Sequence, residues 1–131
     1  MSSPISPLVL VIDDAVEVRE LVGHMLRDAG FRVAAAPDGF QGFKMAAEVP
    51  PDVILMDFDL PGMDGVEATL ALQRECPTAA VVCLTASANL RELEALKAAG
   101  AVACLRKDQE LDEIVSAIRE AGAGKVGERR R

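Results

Sequence analysis

Several short apolar runs in this 131-residue chain end in residues able to do chemistry. LVLVI (8–12) stops at Asp13 and Asp14, and VILM (53–56) stops at Asp57, with Asp59 two residues on. AAVVCL (79–84) stops at Thr85, and AVACL (101–105) stops at Arg106 and Lys107. If these ends share one edge, three carboxylates, a hydroxyl and an ammonium converge. Two unit charges 4 Å apart repel by about 4 kcal/mol at an effective dielectric near 20. One lysine does not neutralise three such groups, but a hard divalent cation does. Mg²⁺ takes one or two carboxylates, keeps several waters and leaves room for a phosphoryl oxygen. The set therefore suits phosphoryl chemistry, with Asp57 as nucleophile and Thr85 and Lys107 as donors to the transferring group.

The elements that must carry these residues are written in the hydrophobic pattern. The runs at 8–12, 31–36, 53–57, 79–84 and 101–106 are almost continuously apolar, which suits strands covered on both faces of a parallel sheet. Between them, Val18, Leu21, Val22, Met25, Leu26 and Ala29 follow helical spacing, with Gly30 placed as a C-cap. Leu90, Leu93 and Leu96 mark a helix closed by Gly100, and Leu111, Ile114, Val115 and Ile118 mark the last one. Shorter stripes predict helices over 39–49 and 66–75. Five strands alternating with helices give an α/β fold, a single doubly wound parallel sheet with helices on both faces. In such sheets function gathers outside the carboxyl ends of the strands. Asp14, standing before an amphipathic run, is also placed to cap the first helix.

Composition narrows the function further. Half of the residues are apolar, but there are only four Phe and no Trp or Tyr, so the core must be aliphatic. The formal charge is −7, and several of the basic residues sit in the terminal GKVGERRR. An acidic body repels phosphate backbones, which argues against direct nucleic-acid binding. Cys76, Cys83 and Cys104 show no metal-ligand spacing and read as small buried hydrophobes in a reducing compartment. The N-terminal MSSPISPLVLVIDD has neither the basic start of a signal peptide nor the length of a membrane span, and a cytoplasmic location is expected. His24 falls off the apolar stripe of its helix and is expected at the surface.

Taken together in this order and spacing, VIDD, VILMDFDLPGMDG, LTAS and LRKD resemble the receiver domain of two-component response regulators, the CheY-like family. The resemblance spans about residues 6–122 and leaves 123–131 as a flexible basic tail. It implies a five-stranded sheet of order 2-1-3-4-5. It also implies Mg²⁺ held directly by Asp14 and Asp57, by Asp13 largely through water, and by the backbone carbonyl of Asp59. Asp57 would accept a phosphoryl group from a phosphohistidine of a sensor histidine kinase or histidine phosphotransfer protein. Thr85 would move toward the new phosphate, and Lys107 would pair with it. The implied product is a stand-alone signalling module, not an enzyme with turnover. It would be a monomer or a weak phosphorylation-dependent dimer, acting on a downstream protein through the face around the fourth and fifth helices, without membrane or nucleic acid.

Some positions depart from the family pattern. Cys104 stands three residues before Lys107, where an aromatic is common. Asp108 follows Lys107 in place of a frequent proline, which removes the usual ground for a cis bond there. Asp59 and Ser87, two residues after Asp57 and Thr85, border the family's path for hydrolytic water. Two other readings compete. DFDL and LTAS resemble motifs of haloacid-dehalogenase-type phosphohydrolases, although here an acidic pair precedes the nucleophile. A receiver-like interaction module that never accepts phosphate is the third reading.

Overall fold

The computed structural model describes residues 6–86 and 89–129, with side chains as far as residue 123. Strand and helix alternate throughout: β1 Leu8–Ile12, α1 Val16–Asp28, β2 Arg32–Ala36, α2 Gly39–Glu48, β3 Val53–Asp57, α3 Gly65–Glu75, β4 Ala80–Thr85, α4 Leu90–Ala98, β5 Ala103–Arg106 and α5 Leu111–Arg129. The strands form one parallel sheet of order β2-β1-β3-β4-β5, as expected. All five carboxyl ends therefore point to the same edge.

Alternation of side chains across the sheet builds two cores. Leu10, Ile12, Ile54, Met56, Val81 and Cys83 face one way and pack with Leu72 of α3 and Leu96 of α4. Val9, Val11, Val53, Leu55, Val82 and Leu84 face the other way, against Val22 and Leu26 of α1 and Ile114 and Ile118 of α5. Every residue of β3 and β4 is buried. Removing a Leu or Ile side chain from water in this way contributes about 1.5–3 kcal/mol. The outer strands β2 and β5 are only half covered, and each has one strand neighbour.

Local signals fix where the helices start and stop. Asp38, Asp64 and Asn89 each accept backbone N–H bonds at the first turns of α2, α3 and α4. Gly30 and Gly100 take positive φ, +98° and +118°, just after α1 and α4, and turn the chain into its next strand. Leu21 and Leu90, both read as part of apolar stripes, are instead exposed. The last helix continues to Arg129, past residue 123 where the basic tail was expected to begin. No proline interrupts AGAGKVGER, so the helical ladder continues. Arg130 and Arg131 lie outside the described residues.

Gly42 lets α2 lie close against β1. A Cβ built there would sit 2.5 Å from Cδ1 and 2.8 Å from Cγ1 of the fully buried Ile12. Over-packing of this kind costs about 1–3 kcal/mol, only partly offset by the better helix propensity of alanine. Gly42→Ala should lower the stability measured by urea unfolding by roughly 1–2 kcal/mol. An unchanged midpoint would show that α2 moves away freely.

Candidate functional site

Asp57 is the last residue of β3, the central strand, and is 2 % exposed. Asp13 and Asp14 follow β1 directly, so the β1–β3 pairing brings the three carboxylates to one point. One carboxylate oxygen from each of Asp13, Asp14 and Asp57 lies within 4.8 Å of the others. Asp13 is as buried as Asp57, whereas Asp14 is exposed and opens the cluster to solvent.

Neighbouring groups hold these carboxylates in place. Asp57 Oδ1 accepts the Asp59 N–H at 3.0 Å and faces Lys107 Nζ at 2.9 Å. Asp13 Oδ1 accepts the Ala15 N–H at 2.9 Å. Ala15, not Asp14, takes the N-cap place of α1, and no side chain caps that helix. The capping role expected of Asp14 is thus absent, and its carboxylate is spared for the cluster. Arg19, one turn into α1, donates from Nη1 to the Asp13 carbonyl at 2.8 Å and ties the helix to the loop. Nothing in the spacing of the sequence pointed to Arg19, because the contact depends on how the chain turns after Asp13.

Thr85 closes β4 beside the acceptor strand and is 1 % exposed. Its carbonyl accepts the Lys107 N–H at 2.9 Å, which fixes the backbone that carries the lysine. Lys107 also approaches Asp13 Oδ2 at 3.9 Å. Asp59 is exposed and outside the carboxylate cluster, and Ser87 lies outside the described residues. Arg106 is exposed and pairs with Asp108, and His24 is exposed beside Asp28, as expected. Among the described residues no peptide bond is cis. Cys76 and Cys83 are buried, as expected, but Cys104 is only half-buried.

The electrostatics show a site crowded with negative charge. Burial pushes the Asp13 carboxyl up; the charges of Asp57 and Asp14 add to this, and together they outweigh the Ala15 N–H and Lys107. Burial alone would lower the Lys107 ammonium, but its hydrogen bond to Asp57 and the charges of Asp57, Asp13 and Asp59 raise it above its ordinary value. Asp13 Oδ2 is buried without a hydrogen-bond partner. A buried carboxylate oxygen without a donor is costly, and a cation removes that cost. Hard oxygen donors, an unsatisfied buried oxygen and an open side at Asp14 together fit Mg²⁺.

Comparison with known proteins identifies the family. Residues 9–119 match the family model described as the response regulator receiver domain. The chain belongs to that family. This receiver is 41 % identical to the response regulator GacA of Pseudomonas aeruginosa over 118 residues, covering 88 % of this chain and 55 % of that protein. It is 36 % identical to a protein-glutamate methylesterase/protein-glutamine glutaminase of Natronomonas pharaonis, covering 89 % of this chain and 36 % of that one. The receiver thus spans about half or less of the length of these relatives. Its fold matches a CheY-like receiver domain from Methanospirillum hungatei, with a TM-score of 0.88 at 22 % identity over 94 % of this chain and 98 % of the other. The matched family is that of receivers, not that of the phosphohydrolases whose motifs DFDL and LTAS resemble. Among the described residues no helix is long and apolar enough to cross a membrane.

Proposed function

We propose that this receiver accepts a phosphoryl group on Asp57 from a phosphohistidine, with Mg²⁺ bound at the acidic cluster, and signals by binding another protein. The observation that carries the reading is the convergence of Asp13, Asp14 and Asp57 at one point, with Lys107 Nζ 2.9 Å from the Asp57 carboxylate. Asp14 and Asp57 would hold the ion directly, Asp13 largely through water, and the Asp59 carbonyl would complete the protein ligands. When bound, Mg²⁺ supplies positive charge opposite the transferring oxygens and lessens repulsion among the carboxylates.

The residues of the chain do the rest. Asp57, fixed by the Asp59 N–H and carried on a rigid strand, attacks phosphorus in line with the donor. The new O–P bond forms as the P–N bond breaks, and the donor imidazole leaves with the electron pair. Lys107, already an ammonium beside Asp57, passes from the carboxylate to a phosphoryl oxygen. The Thr85 hydroxyl offers a further donor to the same group. A sensor histidine kinase or a histidine phosphotransfer protein fits as the donor, and the face of α4, β5 and α5 fits a downstream protein. Cys104 on that face leaves no aromatic side chain to report the transfer, so the report must come through loops or helices.

Incubation with Mg²⁺ and a small acyl phosphate tests the proposal. One phosphoryl group per chain, released by hydroxylamine and absent when a chelator is added, is the expected result. No incorporation from the acyl phosphate, and none from a panel of phosphorylated histidine kinases, would leave only an interaction module.

A further inference from the structure

The phosphoacceptor chemistry makes no use of the cysteines, yet two of them meet. Cys83 of β4 and Cys104 of β5 are register partners in the parallel ladder. Both side chains point to the α3/α4 face: Cys83 lies inside that core, and Cys104 packs against it. Cys83 Sγ lies 3.7 Å from Thr69 Oγ1, and Cys104 Sγ lies 4.0 Å from the Leu93 carbonyl of α4. Cys76 sits apart at the end of α3, buried near the Ala46 carbonyl. We propose that Cys104 is a hydroperoxide-reactive thiol and that Cys83 resolves its sulfenic acid into a disulfide linking β4 and β5.

Access and spacing divide the two roles. Cys83 has 0 % exposure and cannot meet an oxidant first, whereas Cys104 is half-buried at the outer strand. The hydrogen bond with Cys83 draws the Cys104 thiol down to about 7, against its burial and with help from Lys97. The same contact and burial push the Cys83 thiol up, so Cys83 keeps its proton until the second step. Neighbouring strands lie about 4.8 Å apart, inside the Cα window for a disulfide of about 4.4–6.8 Å. A disulfide holds its Cβ atoms about 3.8 Å apart, and β5, bonded to one strand only, has an open side on which to adjust.

The chemistry balances with one hydroperoxide. The Cys104 thiolate attacks the near peroxide oxygen, the O–O bond breaks, and the leaving oxygen takes a proton to give water or an alcohol. The Cys83 thiol, losing its proton, then attacks the sulfenic sulfur and releases water. The new bond would pin β4 to β5 two residues before Thr85 and three before Lys107, beneath α4.

The full chain, treated with hydrogen peroxide at neutral pH, tests this without any variant. Thiols titratable after unfolding should fall from three to one, since the chain has three cysteines. Digestion should yield one peptide pair joined through Cys83 and Cys104 and separated by dithiothreitol. In Cys83→Ser, dimedone should trap Cys104 as the sulfenic acid, at least ~10-fold faster than it labels Cys76. In Cys104→Ser, Cys83 should stay reduced. Survival of all three thiols in the wild type, or oxidation of Cys76 as fast as Cys104, would overturn the proposal.

Discussion

Asp57→Asn should take up no phosphoryl group under conditions in which the wild-type chain acquires one. The substitution keeps the shape of the side chain and its place at the end of β3, but an amide oxygen is a poor nucleophile. Loss of a covalent nucleophile lowers such a reaction by a factor on the order of 10³ or more. Asp13 and Asp14 lie within 4.8 Å and provide an internal control. If the variant were still labelled, with the label mapped to either of them, Asp57 would lose its role as acceptor. Far-UV circular dichroism and the melting temperature of the variant separate lost chemistry from lost fold. Lys107 loses its nearest charged partner in this variant and keeps only the more distant Asp13 and Asp59, so its ammonium should titrate lower than in the wild type. That shift is measurable by NMR even where no phosphate is offered.

The second large effect concerns stability, and its sign depends on the cation. Without metal, Asp13→Asn should be more stable than the wild type by about 2–3 kcal/mol at neutral pH, one repulsion at this spacing less the attraction to Lys107 that is lost with it. With Mg²⁺ the order should shrink or reverse, because the wild type gains by binding and the variant gains less. The pH dependence follows from the raised Asp13 pKa. A carboxyl whose folded pKa exceeds its unfolded value contributes stability below its ordinary 3.8, and that contribution is lost as pH rises through the folded value. The advantage of the variant should therefore vanish in acid and grow toward neutral pH. Urea unfolding at several pH values, with chelator and with Mg²⁺, measures both trends. A variant less stable than the wild type in chelator at neutral pH would mean that the cluster is not under electrostatic strain.

How much of this was legible beforehand depended on the range of the interaction. The inner strands were readable because β3 and β4, hidden on both faces, leave no place for a polar residue before their ends. The carboxylates, Thr85 and Lys107 were readable because each stands where an apolar run stops. Leu21 and Leu90 were misread because helical spacing marks a stripe but not which of its edges the neighbouring helix covers. The end of α5 was hidden because glycines weaken a helix without stopping it. The Arg19 contact and the pairing of Cys83 with Cys104 were out of reach for another reason. Both depend on distant segments lying side by side, and only strand order and register decide that.

Strand parity carries one last consequence. Thr85 shares the parity of Cys83 and so belongs to the slab that holds α3 and α4, while Lys107 shares that of Leu105 and lines the cleft between α1 and α5. A ligand gripped by both residues would clasp the two slabs across the sheet that divides them. Its departure would remove that clasp, so a single small anion would act as a removable rivet between layers on opposite faces of one sheet.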